Sequence, residues 1–149
     1  FLIADDDAFN ILTLESVLTS LNYKSESAYN GQQVLSYMER RIANPCSPNC
    51  EPYKLIFLDC NMPIMDGYEC VTRLKQIFKK HPEYECAVIA CTAACHQFEK
   101  TKALEAGMAS FVSKPITKIK IQQIINSYSN RNIRDPERVK YGYVNLTDE

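Results

Sequence analysis

Leu55, Ile56, Phe57 and Leu58 follow one another without a polar residue between them, and the run stops on Asp59. An uninterrupted apolar run leaves no face for water, so it predicts a strand covered on both sides, as in a parallel sheet between helices. Beyond Asp59, Pro63 and Gly67 break the periodicity and mark a loop, and Val71, Leu74, Ile77 and Phe78 then resume at helical spacing. The unit is strand, loop, helix. In open α/β sheets the carboxyl ends of the strands face the ligand crevice, which sets Asp59 where chemistry is usually done.

The same grammar recurs along the chain. Phe1 to Ala4 is apolar and stops on Asp5, Asp6 and Asp7. Asp7 can cap a helix whose Ile11, Leu14, Val17, Leu18 and Leu21 form one stripe. Lys24 to Tyr29 predicts a weak, edge-like strand, and Asn30-Gly31 turns into a second helix with Val34, Leu35, Met38 and Ile42 on its buried face. Asn44 to Pro52, with three prolines and two cysteines, predicts a surface loop, and the third helix closes near His81-Pro82. Cys86 to Cys91 predicts a fourth buried strand ending at Thr92. A polar helix from about Gln97 to Ala106 stops at Gly107. Ala109 to Ser113 predicts a fifth strand ending at Lys114-Pro115, and Thr117 can cap a last helix with Ile121, Ile124, Ile125 and Tyr128 on one face. Five strands alternating with five helices call for a doubly wound parallel sheet. After Asn130 the apolar pattern fades, so the expected division is a domain over 1–130 and a tail or linker over 131–149.

Four strand ends thus present polar groups on one edge: Asp5 and Asp6, Asp59, Thr92, and Lys114. Taken singly, a strand-end Thr is commonly a cap and a Lys-Pro a turn. Their coincidence at successive strand ends is what asks for a joint role. Asp5, Asp6 and Asp59 are hard oxygen donors suited to Mg²⁺, which takes few protein carboxylates and keeps several waters. Drawing three carboxylates together costs Coulomb energy unless cations are supplied. Lys114 adds an ammonium, and Thr92 a hydroxyl donor.

The segment L-D-C-N-M-P-I-M-D-G at 58–67 closely resembles the phosphoacceptor loop of the receiver domains of two-component response regulators and hybrid histidine kinases. The resemblance covers roughly Phe1 to Asn130. It implies a flavodoxin-like (βα)5 fold with strand order 2-1-3-4-5, and Asp59 as the phosphoacceptor. It also implies that Asp6, Asp59 and the backbone carbonyl of Asn61 bind Mg²⁺ directly, with Asp5 acting largely through water. Thr92 and Phe111 match the family's switch hydroxyl and switch aromatic, and Lys114 its phosphate-pairing lysine, with a cis bond to Pro115. The donor implied is a histidine kinase or a histidine phosphotransfer protein. The output implied is a downstream protein on the surface of the fourth helix, fifth strand and last helix. The domain would be no separate enzyme, since it accepts phosphate onto itself.

Charge and cysteine usage bound the remaining classes. Lys+Arg 17 against Asp+Glu 18 gives a net charge of -1, which offers no electrostatic argument for nucleic acid or an anionic membrane. No apolar run approaches the roughly 18 residues of a spanning helix. Seven cysteines, an odd number scattered through core and loops, fit a reduced, cytoplasmic protein. Cys46 and Cys50 form a C-x3-C pair without a second ligand pair beside it, so free thiols are expected rather than zinc. The start on Phe1 and the 44–52 insertion suggest a domain belonging to a longer hybrid histidine kinase. Two rival readings differ in class. An aspartyl-phosphate hydrolase of the haloacid dehalogenase type would use Asp5 as nucleophile, but Phe9 stands where its motif needs Thr or Val. A receiver-like interaction module independent of phosphate would have no chemical reason to keep the acids, Thr and Lys together.

Overall fold

The computed structural model describes residues 1–44, 51–93 and 96–129. Cys46 and Cys50, the boundary at 130 and the expected tail over 131–149 lie outside those residues. The elements alternate as the sequence predicts: β1 (Leu2–Ala4), α1 (Ala8–Ser20), β2 (Glu26–Ala28), α2 (Gly31–Ala43), β3 (Leu55–Asp59), α3 (Gly67–Lys80), a 3-10 turn (Pro82–Tyr84), β4 (Ala87–Thr92), α4 (Gln97–Ala106), β5 (Ser110–Ser113) and α5 (Lys118–Ser129). The strands form one sheet in the order β2-β1-β3-β4-β5, and every pair is parallel. This is the flavodoxin-like arrangement.

Local chemistry sets where the helices begin. The Asp7 carboxylate accepts the Phe9 N–H at 2.8 Å, the Asn30 side chain accepts the Gln33 N–H at 2.9 Å, and Asp66 accepts the Glu69 N–H at 2.9 Å. Each supplies an acceptor to an N–H that has no partner within its helix. Gly107 ends α4 at φ 113°, in the left-handed region that a side chain disfavours.

The sheet separates two apolar layers. Ile3, Phe57, Ile89 and Val112 pack with Ile11, Leu14 and Leu18 of α1 and Ile121, Ile124 and Ile125 of α5. Leu2, Ile56, Leu58, Val88, Ala90 and Phe111 pack on the other side with α2, α3 and Ala103 of α4. Every residue of β3 and β4 is buried, which is why neither strand shows polar alternation. Each large side chain so buried, Phe57 or Leu58 for example, contributes roughly 1.5–3 kcal/mol. Val17, Leu21, Ile42, Ile77 and Tyr128, expected on buried faces, are only partly covered and rim those layers. Helix α4 buries a single residue, Ala103, and is the helix least tied to the core by apolar contact.

Candidate functional site

Register brings the expected residues together. Ala4 pairs with Leu58, Asp59 with Cys91, and Thr92 with Ser113, so Asp5 and Asp59 stand level, with Thr92 and Lys114 one and two steps beyond. Side chains alternate along a strand. Asp59 therefore continues the row of Phe57, and Lys114 that of Val112, on the α1 and α5 side. Thr92 continues the row of Ala90, on the side that holds Phe111. Asp5, Asp59 and the lysine share one layer, and the hydroxyl and the aromatic share the other.

Asp5, Asp6 and Asp59 each offer a carboxylate oxygen, and these lie within 4.8 Å of one another. Asp5 and Asp59 are buried, while Asp6 is exposed. Asp5 Oδ1 accepts the Asp7 N–H at 2.9 Å, and Asp5 Oδ2 accepts from Lys114 Nζ at 2.9 Å. Lys114 Nζ is 3.5 Å from Asp59 Oδ1. The lysine thus binds Asp5 more closely than Asp59. Level alignment of Asp5 and Asp59 lets one ammonium serve both, and the hydrogen bond goes to Asp5. The Asn61 N–H points to Asp59 Oδ1 at 3.5 Å, a weak contact at best. Lys114 precedes Pro115 through a cis peptide bond, and its own N–H donates to the Thr92 carbonyl at 2.9 Å.

Burial pushes the Asp59 carboxyl up to about 6; the Lys114 charge opposes the rise, and Asp5 adds to it. Burial works to lower the pKa of the Lys114 ammonium, but the hydrogen bond with Asp5 and the charge of Asp59 outweigh it and hold the pKa above the ordinary value. Three carboxylates against one ammonium leave the cluster short of positive charge. That deficit, with oxygen as the donor in every case, fits a hard divalent cation such as Mg²⁺.

The loop after Asp59 is shaped by Ile64 and Gly67. Ile64 has φ 69° and is 82% exposed, and the Met65 N–H donates to the Pro63 carbonyl at 2.7 Å across it. A β-branched residue there carries backbone strain of order 1–3 kcal/mol. Gly67 donates its N–H to the Cys60 carbonyl at 3.0 Å, and a Cβ on it would fall 2.3 Å from the Asp59 carbonyl oxygen. Gly67 is there because the start of α3 presses against the backbone of the strand end. Phe111 is buried, and Lys100 Nζ stands 4.6 Å from the centre of its ring.

The family model of the response regulator receiver domain matches residues 1–126. The chain belongs to that family. Among related proteins, hybrid signal transduction histidine kinase L of Dictyostelium discoideum is 32% identical to this receiver over 127 residues, 85% of this chain and 7% of that protein. Sensor histidine kinase RcsC of Escherichia coli (strain K12) is 32% identical over 130 residues, 87% of this chain and 12% of that protein. The receiver thus spans only a small part of such relatives. The receiver domain of the Pseudomonas aeruginosa PAO1 sensor histidine kinase PA1611, solved with a magnesium ion in its active-site cleft, matches with TM-score 0.69 at 27% identity, over 85% of this chain and 93% of that one. A chain of the co-crystal structure of the Saccharomyces cerevisiae histidine phosphotransfer protein Ypd1 with the receiver domain of Ssk1 matches with TM-score 0.72 at 23% identity, over 85% and 86%, a likeness of fold. No helix among the described residues is long and apolar enough to cross a membrane.

Proposed function

We propose that this receiver takes a phosphoryl group onto Asp59 from a phosphohistidine, carried by a histidine kinase or a histidine phosphotransfer protein, and that the modified state is read on the α4-β5-α5 face. The observation that carries the reading is the grouping of the Asp5, Asp6 and Asp59 oxygens within 4.8 Å, with the Lys114 ammonium 3.5 Å from Asp59. A carboxylate oxygen of Asp59 attacks phosphorus, the P–N bond to the donor imidazole breaks, and the product is an acyl phosphate. The departing imidazole nitrogen keeps the electron pair of that bond. Mg²⁺, held by Asp6, Asp59 and the Asn61 carbonyl with Asp5 acting through water, would supply the positive charge that lets anionic donor and carboxylate meet. Lys114 steadies the phosphoryl oxygens, and Thr92 hydrogen-bonds one of them once the group is in place.

A donor protein has to bring its histidine to Asp59. Phe9, 75% exposed, and Leu12 lie three residues apart on the outer face of α1, just past the acids, and Ile119 at the start of α5 is 71% exposed. Apolar side chains so placed beside a charged cleft suit a protein partner rather than water. The receiver is read as a cytoplasmic module of a hybrid histidine kinase, with its own domain ending near residue 130.

Incubation with Mg²⁺ and acetyl phosphate tests the reading. One acid-stable, base-labile phosphoryl group should appear on Asp59, located by mass spectrometry. Equal labelling of Asp59→Asn would reject the assignment, and an unmodified parent that still binds its partner would favour the phosphate-independent module. Mg²⁺ titration of the same samples should show Asp6→Ala weakening affinity more than Asp5→Ala, because both Asp5 oxygens are already engaged by Asp7 and Lys114.

A further inference from the structure

Lys120 is ill suited to the helix position it occupies. Thr117 caps α5: its Oγ1 accepts the Lys120 N–H at 3.3 Å, and its carbonyl accepts the Ile121 N–H at 3.1 Å. Three residues after a capping threonine, Glu or Gln is favoured, because its side chain can reach back to the N–H of the cap. The positive end of the helix dipole disfavours a cation there, and the first turn of α5 has no acidic residue to offset it. Lys120 therefore costs α5 stability by local rules, and its side chain shows where it is used instead. It folds back past the cap, so that its Nζ lies 3.0 Å from Ser113 Oγ, 3.4 Å from the Ser113 carbonyl oxygen and 3.4 Å from the Pro115 carbonyl oxygen. Those acceptors belong to the residues immediately before and after Lys114.

We propose that Lys120 is a positioning residue for Lys114: by tying down the backbone on both sides of it, Lys120 sets where the Lys114 ammonium stands between Asp5 and Asp59. The role of Lys114 toward the phosphoryl group is taken from the function proposed above. Lys114 carries its charge at the end of a flexible four-carbon stem, so the direction of its backbone decides what the ammonium reaches. On one side β5 is held by the ladder to β4, where Ser113 pairs with Thr92 and the Lys114 N–H reaches the Thr92 carbonyl. On the other side the chain turns away from the sheet toward α5, and Lys120 fastens that turn to Ser113. Misplacement of a catalytic group by about 1 Å can cost up to roughly a hundredfold in rate. A loosened turn should cost a part of that.

Local helix rules and the positioning role make opposite forecasts for Lys120→Gln. Gln completes the capping box and removes the cation from the dipole, so a lysine that matters only to α5 gives a variant with unchanged or higher Tm and parental chemistry. The positioning role gives the same Tm result but slower chemistry: phosphorylation of Asp59 by acetyl phosphate at saturating Mg²⁺ should fall by about threefold to thirtyfold. Lys120→Arg, which keeps a cation able to donate to carbonyls, should stay within about twofold of the parent. A second readout needs neither metal nor phosphate. In ¹⁵N-lysine-labelled protein, the Lys114 Nζ resonance, identified by its loss in Lys114→Arg, should shift or broaden in Lys120→Gln and persist in Lys120→Arg. An unchanged Lys114 resonance in Lys120→Gln overturns the proposal. So does labelling of that variant at the parental rate. If the resonance moves while the parent itself takes no phosphoryl group, the positioning of Lys114 stands and the proposed function fails.

Discussion

Asp59 is held in the folded chain against its own preference. With its carboxyl raised from 3.8 to about 6, the folded state binds a proton more tightly than the unfolded state does. The sign follows from linkage. Above about pH 6 the folded chain carries a buried charge that the unfolded chain solvates freely, and the cost is full. Between about 6 and 4 the cost fades as the folded carboxyl takes up its proton, and below the ordinary carboxylate value it vanishes. The side chain is only 9% exposed, so solvent screens little of it, and the cost at pH 7 is about 1–3 kcal/mol. Asp59→Asn should therefore stabilise the metal-free receiver by that order at pH 7. The gain should shrink toward pH 4, and again when Mg²⁺ replaces chelator. Urea denaturation at the two pH values measures it, and an Asn variant no more stable than the parent at pH 7 in chelator would contradict the account. The residues at this scale were readable from their types and strand-end positions. That Lys114 sits 2.9 Å from Asp5 and farther from Asp59 was not, because it depends on the level alignment of two strands far apart in the chain.

At the scale of elements, the decisive contact is between the start of α3 and the end of β3. Gly67→Ala would put a methyl group 2.3 Å from the Asp59 carbonyl oxygen and 3.0 Å from Cys60 Cα, both backbone atoms that cannot swing aside. The helix must back away, at a cost of about 1–3 kcal/mol, and the strand end that carries Asp59 moves with it. Gly107→Ala is the matched control. It costs about 1 kcal/mol through backbone strain at φ 113°, in a place that does not touch Asp59. Thermal melts should show both variants destabilised, whereas labelling by acetyl phosphate should slow for Gly67→Ala alone. Equal labelling rates would separate the α3 contact from the chemistry. Gly67 reads in the sequence as a loop breaker, and only the packed structure shows that the missing Cβ is the point. Ile64 is the converse: its sequence is that of an ordinary apolar residue, and its positive φ is set by the turn that closes over it.

For the whole molecule, the phosphoryl transfer proposed above has to become a change of surface. Thr92 and Phe111 lie in the sheet layer opposite Asp5 and Asp59, beside α4, which has the least buried apolar contact to hold it in place. Segments with few buried contacts are the ones that move at low cost. Once a phosphoryl group on Asp59 attracts the Thr92 hydroxyl, α4 should shift, and Phe111 with its covering Lys100 should follow. A partner selecting that surface biases the same equilibrium only by its difference in affinity for the two states. NMR of beryllofluoride-treated receiver should show shift changes at Thr92, at Gln97–Ala106 and in the Phe111 ring. Modification of Asp59 without them would break the proposed coupling. From the sequence alone came the alternation of five strands and five helices, the polar residues at four strand ends, and the caps at Asp7 and Thr117, because each is encoded by neighbours a few residues apart. The tertiary structure alone decided which sheet face each functional side chain takes, which acid holds Lys114, why position 67 lacks a Cβ, and what Lys120 reaches. Those depend on register and on packing between distant segments, which no local pattern records.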